Sequence, residues 1–334
     1  MTPPRLVIIG QITVDDVVPA EPGPWRRQTG GNALYAAAGA RLILPAHQIG
    51  IVSRLGAGMN AAIEGELQER GFRTALARRP EPHLVEWLLY EADGGRRALP
   101  KGDRFRSIQD SQTERETYLA ALEAISPSPD DVPDDWREAT AFHLAPQIWK
   151  RHAAHLEAIP LEALATLDPS PHYAKHWDLD MFARTARNAL TFLPSEQELA
   201  GLIGSAVVGS DLISVATTLV ERLGRHAVVK LGAEGALFWH EGVRHAAAAA
   251  ASEKDPTGAG DGFCGAFAAA NALGWPHDAS VEAASVAGAM MVECRGVAEA
   301  HDLSRGEFEH RLTRYRETAD AQGDGRLQGE TDHA

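Results

Sequence analysis

The sequence predicts an α/β protein built on a parallel sheet. Three observations carry that prediction. Short apolar runs recur at Leu6-Val7-Ile8-Ile9, Ala141-Phe142-His143-Leu144, Leu164 to Asp168, Ala189 to Leu193 and Ala227 to Leu231. Between them lie stretches of helical length and spacing, the alternation expected of βαβ units. A glycine-rich turn, Gly258-Ala259-Gly260, runs straight into a helix of small residues, Ala266 to Leu273. The chain has 334 residues, long for one domain by the usual prior but allowed for an α/β fold.

In chain order, Leu6 to Ile9 is an apolar run ending at Gly10, the pattern of a buried strand. Ligands of open α/β sheets collect at the carboxyl ends of such strands. Asp15 and Asp16 fall there, and Asp16 reads best as a turn residue. Val17 to Thr29 carries Pro19, Pro22 and Pro24 and reads as a loop or irregular edge. Gly30-Gly31-Asn32 then opens a small-residue helix, Ala33 to Leu42. His47 to Val52 is a second strand, and Ala61 to Arg70 an amphipathic helix ended by Gly71. Leu84 to Tyr90 and Arg96 to Leu99 flank Asp93-Gly94-Gly95, a hairpin signal. Lys101 to Asp135 is charged and Pro-rich, holds one helix at Arg115 to Ile125, and reads as a surface insertion. A helix near His152 to Ile159 follows.

Pro194-Ser195-Glu196-Gln197-Glu198 opens a helix after the Ala189 to Leu193 strand, with Ser195 and Glu198 forming a capping box. Gly232 and Gly235 make a Gly-x-x-Gly turn after Lys230-Leu231. Val281 to Glu293 is a helix with Ala284, Ser285 and Gly288 on one face, and Ser304 to Thr318 is the last helix. Residues 319–334 are polar and read as a disordered tail.

Composition excludes several function classes. The formal net charge of −14 argues against a nucleic-acid partner, whose phosphates are held by basic surfaces. No apolar run reaches the length of a bilayer span, and the first residues lead into a strand rather than a signal segment, so a cytoplasmic protein without membrane contact is expected. Cys264 and Cys294 lie in small-residue helices and read as packed thiols. His143 and His172 sit beside strands and read as structural.

The stretch Asp255-Pro256-Thr257-Gly258-Ala259-Gly260-Asp261-Gly262-Phe263 carries the chemistry. Glycines at the start of a helix let several N–H groups approach an anion, and the macrodipole favours phosphate there. A carboxylate at such a place, Asp261, is repelled by the ligand unless it has a task, such as taking a proton from an attacking hydroxyl. A tight turn with a capping Asp accounts for the same residues.

This stretch closely resembles the C-terminal signature of the PfkB (ribokinase-like) family of sugar and nucleoside kinases, and Gly30-Gly31-Asn32 resembles its N-terminal signature. The resemblance runs from Leu6 to about Thr318. It implies a doubly wound α/β/α sandwich with a small β-lid (about 17–29 and 83–105), a kinase domain over 1–318, and ATP and Mg²⁺ as cofactors. It puts the catalytic base on Asp261 and the anion hole on the amides of Gly258, Ala259 and Gly260. Asp15, in a Gly10-x-x-x-x-Asp15 spacing, with Gly31 and Asn32, would bind substrate hydroxyls. Lys230, Gly232, Gly235, Thr257 and Ser285 would line the nucleotide. Glu198 would organise water around Mg²⁺, with Ser195 replacing the family's Asn, and Asp255 would join a K⁺ site. Ser53 to Met59 lacks the acid of the family's Gly-x-Asp pattern. A homodimer through the lid is a further expectation.

The implied reaction moves the ATP γ-phosphate to a hydroxymethyl group. No basic cluster faces Asp15, which favours an unphosphorylated sugar, although Arg26, Arg27, Arg96 and Arg97 could reverse that. A nucleoside kinase is the alternative, with Trp25, Tyr35 or Trp87 as base platform. A non-catalytic ligand-binding relative is the alternative of another class.

Overall fold

The computed structural model describes residues 2–18, 26–90, 96–97, 120–170, 190–196, 198–199 and 212–322. Its strands are β1 (Leu6–Ile9), β2 (Thr13–Val18), β3 (Arg26–Gly30), β4 (Ile49–Ala57), β5 (Arg73–Pro82), β6 (Val85–Tyr90), β7 (Arg96–Arg97), β8 (Ala141–Leu144), β9 (Leu164–Leu167), β10 (Leu190–Phe192), β11 (Val228–Lys230), β12 (Ala236–Trp239) and β13 (Val243–Ala246). Its principal helices are α1 (Asn32–Arg41), α2 (Ile63–Glu69), α3 (Trp149–Ala158), α4 (Leu212–Leu223), α5 (Ala259–Ala272), α6 (His277–Met291), α7 (Val297–His301) and α8 (Arg305–Gln322).

The main sheet runs β10-β9-β8-β1-β4-β5, every pair parallel. Strand β1 sits inside it, and all four of its residues are fully buried. Successive side chains of a strand point to opposite faces, and β1 divides accordingly. Leu6 and Ile8 join the core that contains α1, α5 and α6 residues. Val7 and Ile9 join a second core with Leu156 of α3 and Leu219 and Val220 of α4. Helices on both faces of a parallel sheet make the doubly wound α/β/α sandwich that the resemblance implies. Parallel bridges Phe192–Ala227 and Ser195–Lys230 lead on to the antiparallel β11-β12-β13. Among the described residues no helix is long and apolar enough to cross a membrane.

A second sheet has the order β3-β2-β6-β7. It corrects two expectations. Residues 26–30 of the supposed loop form a strand, paired antiparallel to β2. Asp16 is no turn residue: it is fully buried on β2, and Arg27 grips both its oxygens at 2.7 and 2.6 Å. The β6–β7 pairing, Leu89–Arg97 and Tyr90–Arg96, brackets the expected hairpin turn, which lies outside the described residues.

The surface-insertion reading of Lys101 to Asp135 also fails at its C-terminal end. Leu122 and Ile125 are buried there with Leu84, Val132 joins the second core, and the Gln11 amide donates to the Leu122 carbonyl and to Ser126 Oγ. Just beyond it, Trp136 lies against Gly50 of β4. The missing acid of the Ser53 to Met59 segment has a counterpart of opposite charge: Arg54 bonds Asp131 at 2.6 Å and Ser128 at 2.8 Å. Strands β5 and β13 and helix α7 have no counterpart in the sequence reading. Helix α8 continues through Gln322, beyond the expected start of the tail.

Helices α1 and α5 pack backbone to backbone. A side chain on Gly39 would collide with the Gly262 carbonyl, and one on Gly265 with that of Ala36. Such a collision against backbone cannot be relieved by a rotamer change. Gly39→Ala is therefore expected to destabilise the fold by about 1–3 kcal/mol, read from the urea midpoint. An unchanged midpoint would contradict this packing.

Candidate active site

Close packing of α1 and α5 brings the two glycine motifs together at their helix N-termini. Gly31, with φ of 107°, caps α1 and lies against Gln11 and Ile12 backbone. Gly258, with φ of 78°, caps α5 in the left-handed region. The ring of Tyr35, in the first turn of α1, fills the space where a Gly258 side chain would be. Helix α5 starts at Ala259, earlier than the expected Ala266. Ala259 and Gly260 thus belong to its first turn, where N–H groups lack helical partners. Asp261 stands in that turn too, half-buried, where the macrodipole favours a carboxylate.

On the α1 side, Asn32 bridges two strand ends. Its Oδ1 accepts from Gln11 N at 2.8 Å, and its Nδ2 donates to the Pro146 carbonyl at 2.7 Å. Gly10 touches both Asn32 and Ala145, so the ends of β1 and β8 meet at the start of α1. Asp15 is not in a turn after β1 but on β2, 3% exposed, accepting from Thr13 Oγ1 at 2.6 Å beside Gly30.

Sequence reasoning missed Gln147, just past β8. It is 1% exposed, yet neither its Nε2 nor its Oε1 bonds any of the described residues. A buried amide without partners costs free energy and calls for an explanation. No motif marks this position; only its place after a strand end could have pointed to it.

On the α5 side, the ends of β9, β10 and β11 supply charge. Lys230 Nζ donates to both oxygens of Asp168 at 2.8 Å and reaches Cys264 Sγ at 3.3 Å. Burial pushes Asp168 up, the Lys230 ammonium opposes that push, and the Glu198 and Asp261 carboxylates add to it. Burial opposes the Lys230 ammonium, but Asp168 outweighs it and holds the amine well above its ordinary value. The ammonium donates to both carboxylate oxygens, so each bond is charge-assisted and the contact is a buried ion pair. Gly260 lies beside this ammonium: a Cβ there would sit 3.6 Å from Nζ.

The other expected residues fall as follows. Glu198 accepts from Ser195 N at 2.7 Å and Ser195 Oγ at 2.8 Å, completing the capping box. Gly232 and Gly235 both have positive φ, and a side chain on Gly235 would meet the Ala246 carbonyl. Ser285 donates to Val281 O at 3.0 Å within α6, while Gly288 lets α6 approach Ala259 and Phe263. Thr257 N and Oγ1 bond Asp255 Oδ1 at 3.0 and 2.5 Å, and Asp255 Oδ2 is taken by Arg26 at 2.8 Å. His143 is fully buried, bonds Thr166 Oγ1 at 2.9 Å, and is pushed down to about 3 by burial. His172 lies outside the described residues. Both cysteines are buried and free. A cleft of about 1200 Å³ opens between residues 244–252, α6 and α8, lined by Ala246, Glu282, Ala289 and Tyr315 among others; none of Gly258 to Asp261 lines it.

Several known proteins are similar to this chain. A curated ribokinase of Arabidopsis thaliana is 34% identical over 107 residues, which are 31% of this chain and only 28% of that protein. A ribokinase from Cryptococcus neoformans in complex with ADP superposes with a TM-score of 0.64 at 18% identity, covering 93% of this chain and 100% of the other. An E. coli protein described as ribokinase II, in complex with ATP and Mg²⁺, gives 0.66 at 19% identity over 94% and 100%. A nucleoside kinase from Burkholderia thailandensis in complex with inosine gives 0.67 at 16% identity over 93% and 98%. At these identities the structures speak for the fold. The family described as pfkB family carbohydrate kinase matches residues 5–303, nearly the whole chain, and this protein belongs to that family.

Proposed function

We propose that the protein is an ATP-dependent kinase that phosphorylates a hydroxymethyl group of an unphosphorylated sugar. The observation that carries this reading is the Tyr35–Gly258 contact, which sets the polar end of α1 against the anion-binding end of α5. A polyol held by Asp15, Asn32 and the Gly31 turn would present a hydroxyl toward phosphate held by the amides of Gly258, Ala259 and Gly260.

Asp261 takes the proton from that hydroxyl. The oxygen attacks the γ-phosphorus, the bond to the bridging oxygen breaks, and ADP leaves with the electron pair. The amides of Gly258, Ala259 and Gly260 neutralise charge on the transferring group. The nucleoside end of ATP runs along the Gly232–Gly235 turn, past Thr257 and Ser285. Hard oxygen donors suit Mg²⁺, and Glu198 would hold it through water; among the described residues no three acids stand close enough to hold the ion directly. When bound, Mg²⁺ would offset the charge of the phosphates, and Glu198 is the residue that would hold it through water.

Two pairings favour an unphosphorylated sugar. Arg26 and Arg27, two of the four cations that could meet a sugar phosphate, are engaged by Asp255 and Asp16, and the side chains of Arg96 and Arg97 lie outside the described residues. Tyr35, a candidate base platform for a nucleoside, is 2% exposed beneath Gly258. Trp25 and the side chain of Trp87 lie outside the described residues.

Gln147 joins the acceptor side, because a neutral amide can both donate to and accept from sugar hydroxyls. Gln147→Leu is expected to raise the KM for the sugar by about 10–100-fold while Mg-ATP affinity and melting temperature hold. A fall in melting temperature with unchanged KM would assign Gln147 to structure instead. The kinase reading is tested by ADP release with Mg-ATP against pentoses, hexoses, sugar acids, sugar phosphates and nucleosides. A sugar hit abolished in Asp261→Asn supports it; ATP binding without turnover on any acceptor favours a non-catalytic relative.

A further inference from the structure

A buried carboxylate beside an anion site has to be neutralised. Asp255 is 3% exposed and stands three residues before the Gly258 cap of α5. Like charges repel strongly where water is scarce, so a bare Asp255 would oppose phosphate at that helix end. Its bonds show how the charge is handled. Oδ1 accepts from Thr257 N and Oγ1, which shapes the turn into Gly258. Oδ2 accepts from the Arg26 guanidinium at 2.8 Å. Both oxygens are committed to protein donors, so the K⁺ expected at this carboxylate does not fit the donor set. A metal ion would have to displace the guanidinium.

Arg26 comes from β3 of the second sheet, far away in sequence, and its side chain is 36% exposed. Replacing it therefore opens no core.

We infer that Arg26 is a built-in cation for the phosphate-binding turn: it neutralises Asp255 in place of a monovalent metal ion. The guanidinium also ties the second sheet to the turn that carries Gly258. Arg26 touches no reacting atom in this scheme. It is a positioning residue that acts through Asp255 and Thr257. The inference rests on the kinase reading for the identity of the anion, but not for the exchange of one cation for another at Asp255.

The test compares the wild type, Arg26→Ala and Arg26→Lys in KCl and in tetramethylammonium chloride at equal ionic strength. Melting without nucleotide and the Kd for Mg-ATP are both measured. The wild type is expected to melt and bind alike in the two salts, within about twofold in Kd. In tetramethylammonium, Arg26→Ala is expected to bind Mg-ATP at least about tenfold more weakly, as loss of a charge-assisted bond predicts. KCl should restore most of that loss and raise the variant's melting temperature, and Arg26→Lys should stay near the wild type in both salts. A wild type that needs K⁺ for binding or stability overturns the inference. So does an Arg26→Ala protein that equals the wild type in tetramethylammonium, or one whose loss K⁺ does not repair. A wild type that binds no Mg-ATP counts against the kinase reading, and the cation exchange is then decided by the melting arm alone.

Discussion

Asp261→Asn is expected to lower kcat by at least about 10²–10⁴-fold, the usual contribution of a positioned general base. The melting temperature should barely move. Asp261 occupies the first turn of α5, half-buried, and the isosteric Asn fills the same space. The loss should fall on kcat rather than on the Kd for Mg-ATP, because the anion-binding amides belong to the backbone and stay in place. Removing a carboxylate from an anion site should if anything tighten ATP. Turnover within a few-fold of the wild type would sink the assignment of Asp261 as base.

The second large effect is a loss of stability in mild acid. Burial pushes His143, His152 and His301 down to about 3, and His155 and His277 down to about 4. In the unfolded chain each titrates near 6.5. Below that value the unfolded state takes up protons that the folded state refuses, so stability is complete above about pH 7 and falls as pH drops through 6.5. At pH 5 each buried imidazole costs about 2 kcal/mol. Five together approach the ~5–15 kcal/mol that holds a typical fold. Urea midpoints at pH 8, 6 and 5 should therefore fall steeply, and His301→Leu should flatten the slope by about one proton. A midpoint constant from pH 8 to 5 would show that these imidazoles are not buried neutral in solution.

Both glycine motifs were legible in the sequence because their geometry tolerates little else. Gly31 and Gly258 need positive φ, and Gly39 and Gly265 need the absence of a side chain. The central strands were legible for a related reason: strands buried on both faces read as unbroken apolar runs. Strand β5 escaped because it is the sheet edge, largely half-exposed or exposed and rich in Arg, so its pattern carries no apolar run. Asp16 looked like a turn residue because nothing local announces Arg27 as its cross-strand partner. The Arg26–Asp255 and Lys230–Asp168 pairs join residues far apart in the chain, and pairing at such distance leaves no trace in a single sequence.

The position of β1 has a consequence for how the protein is made. Leu6 pairs with Ile49 on one side, soon after synthesis, but its other neighbour is Ala141 of β8. A ribosome must release the whole intervening excursion, second sheet included, before that edge can close. Until then the nascent chain presents an apolar strand with unpaired N–H and C=O groups, a template for pairing with the wrong chain. Parallel pairing across so long a loop is also intrinsically slow. Newly made chains should thus depend on chaperones most while β8 is still inside the exit tunnel.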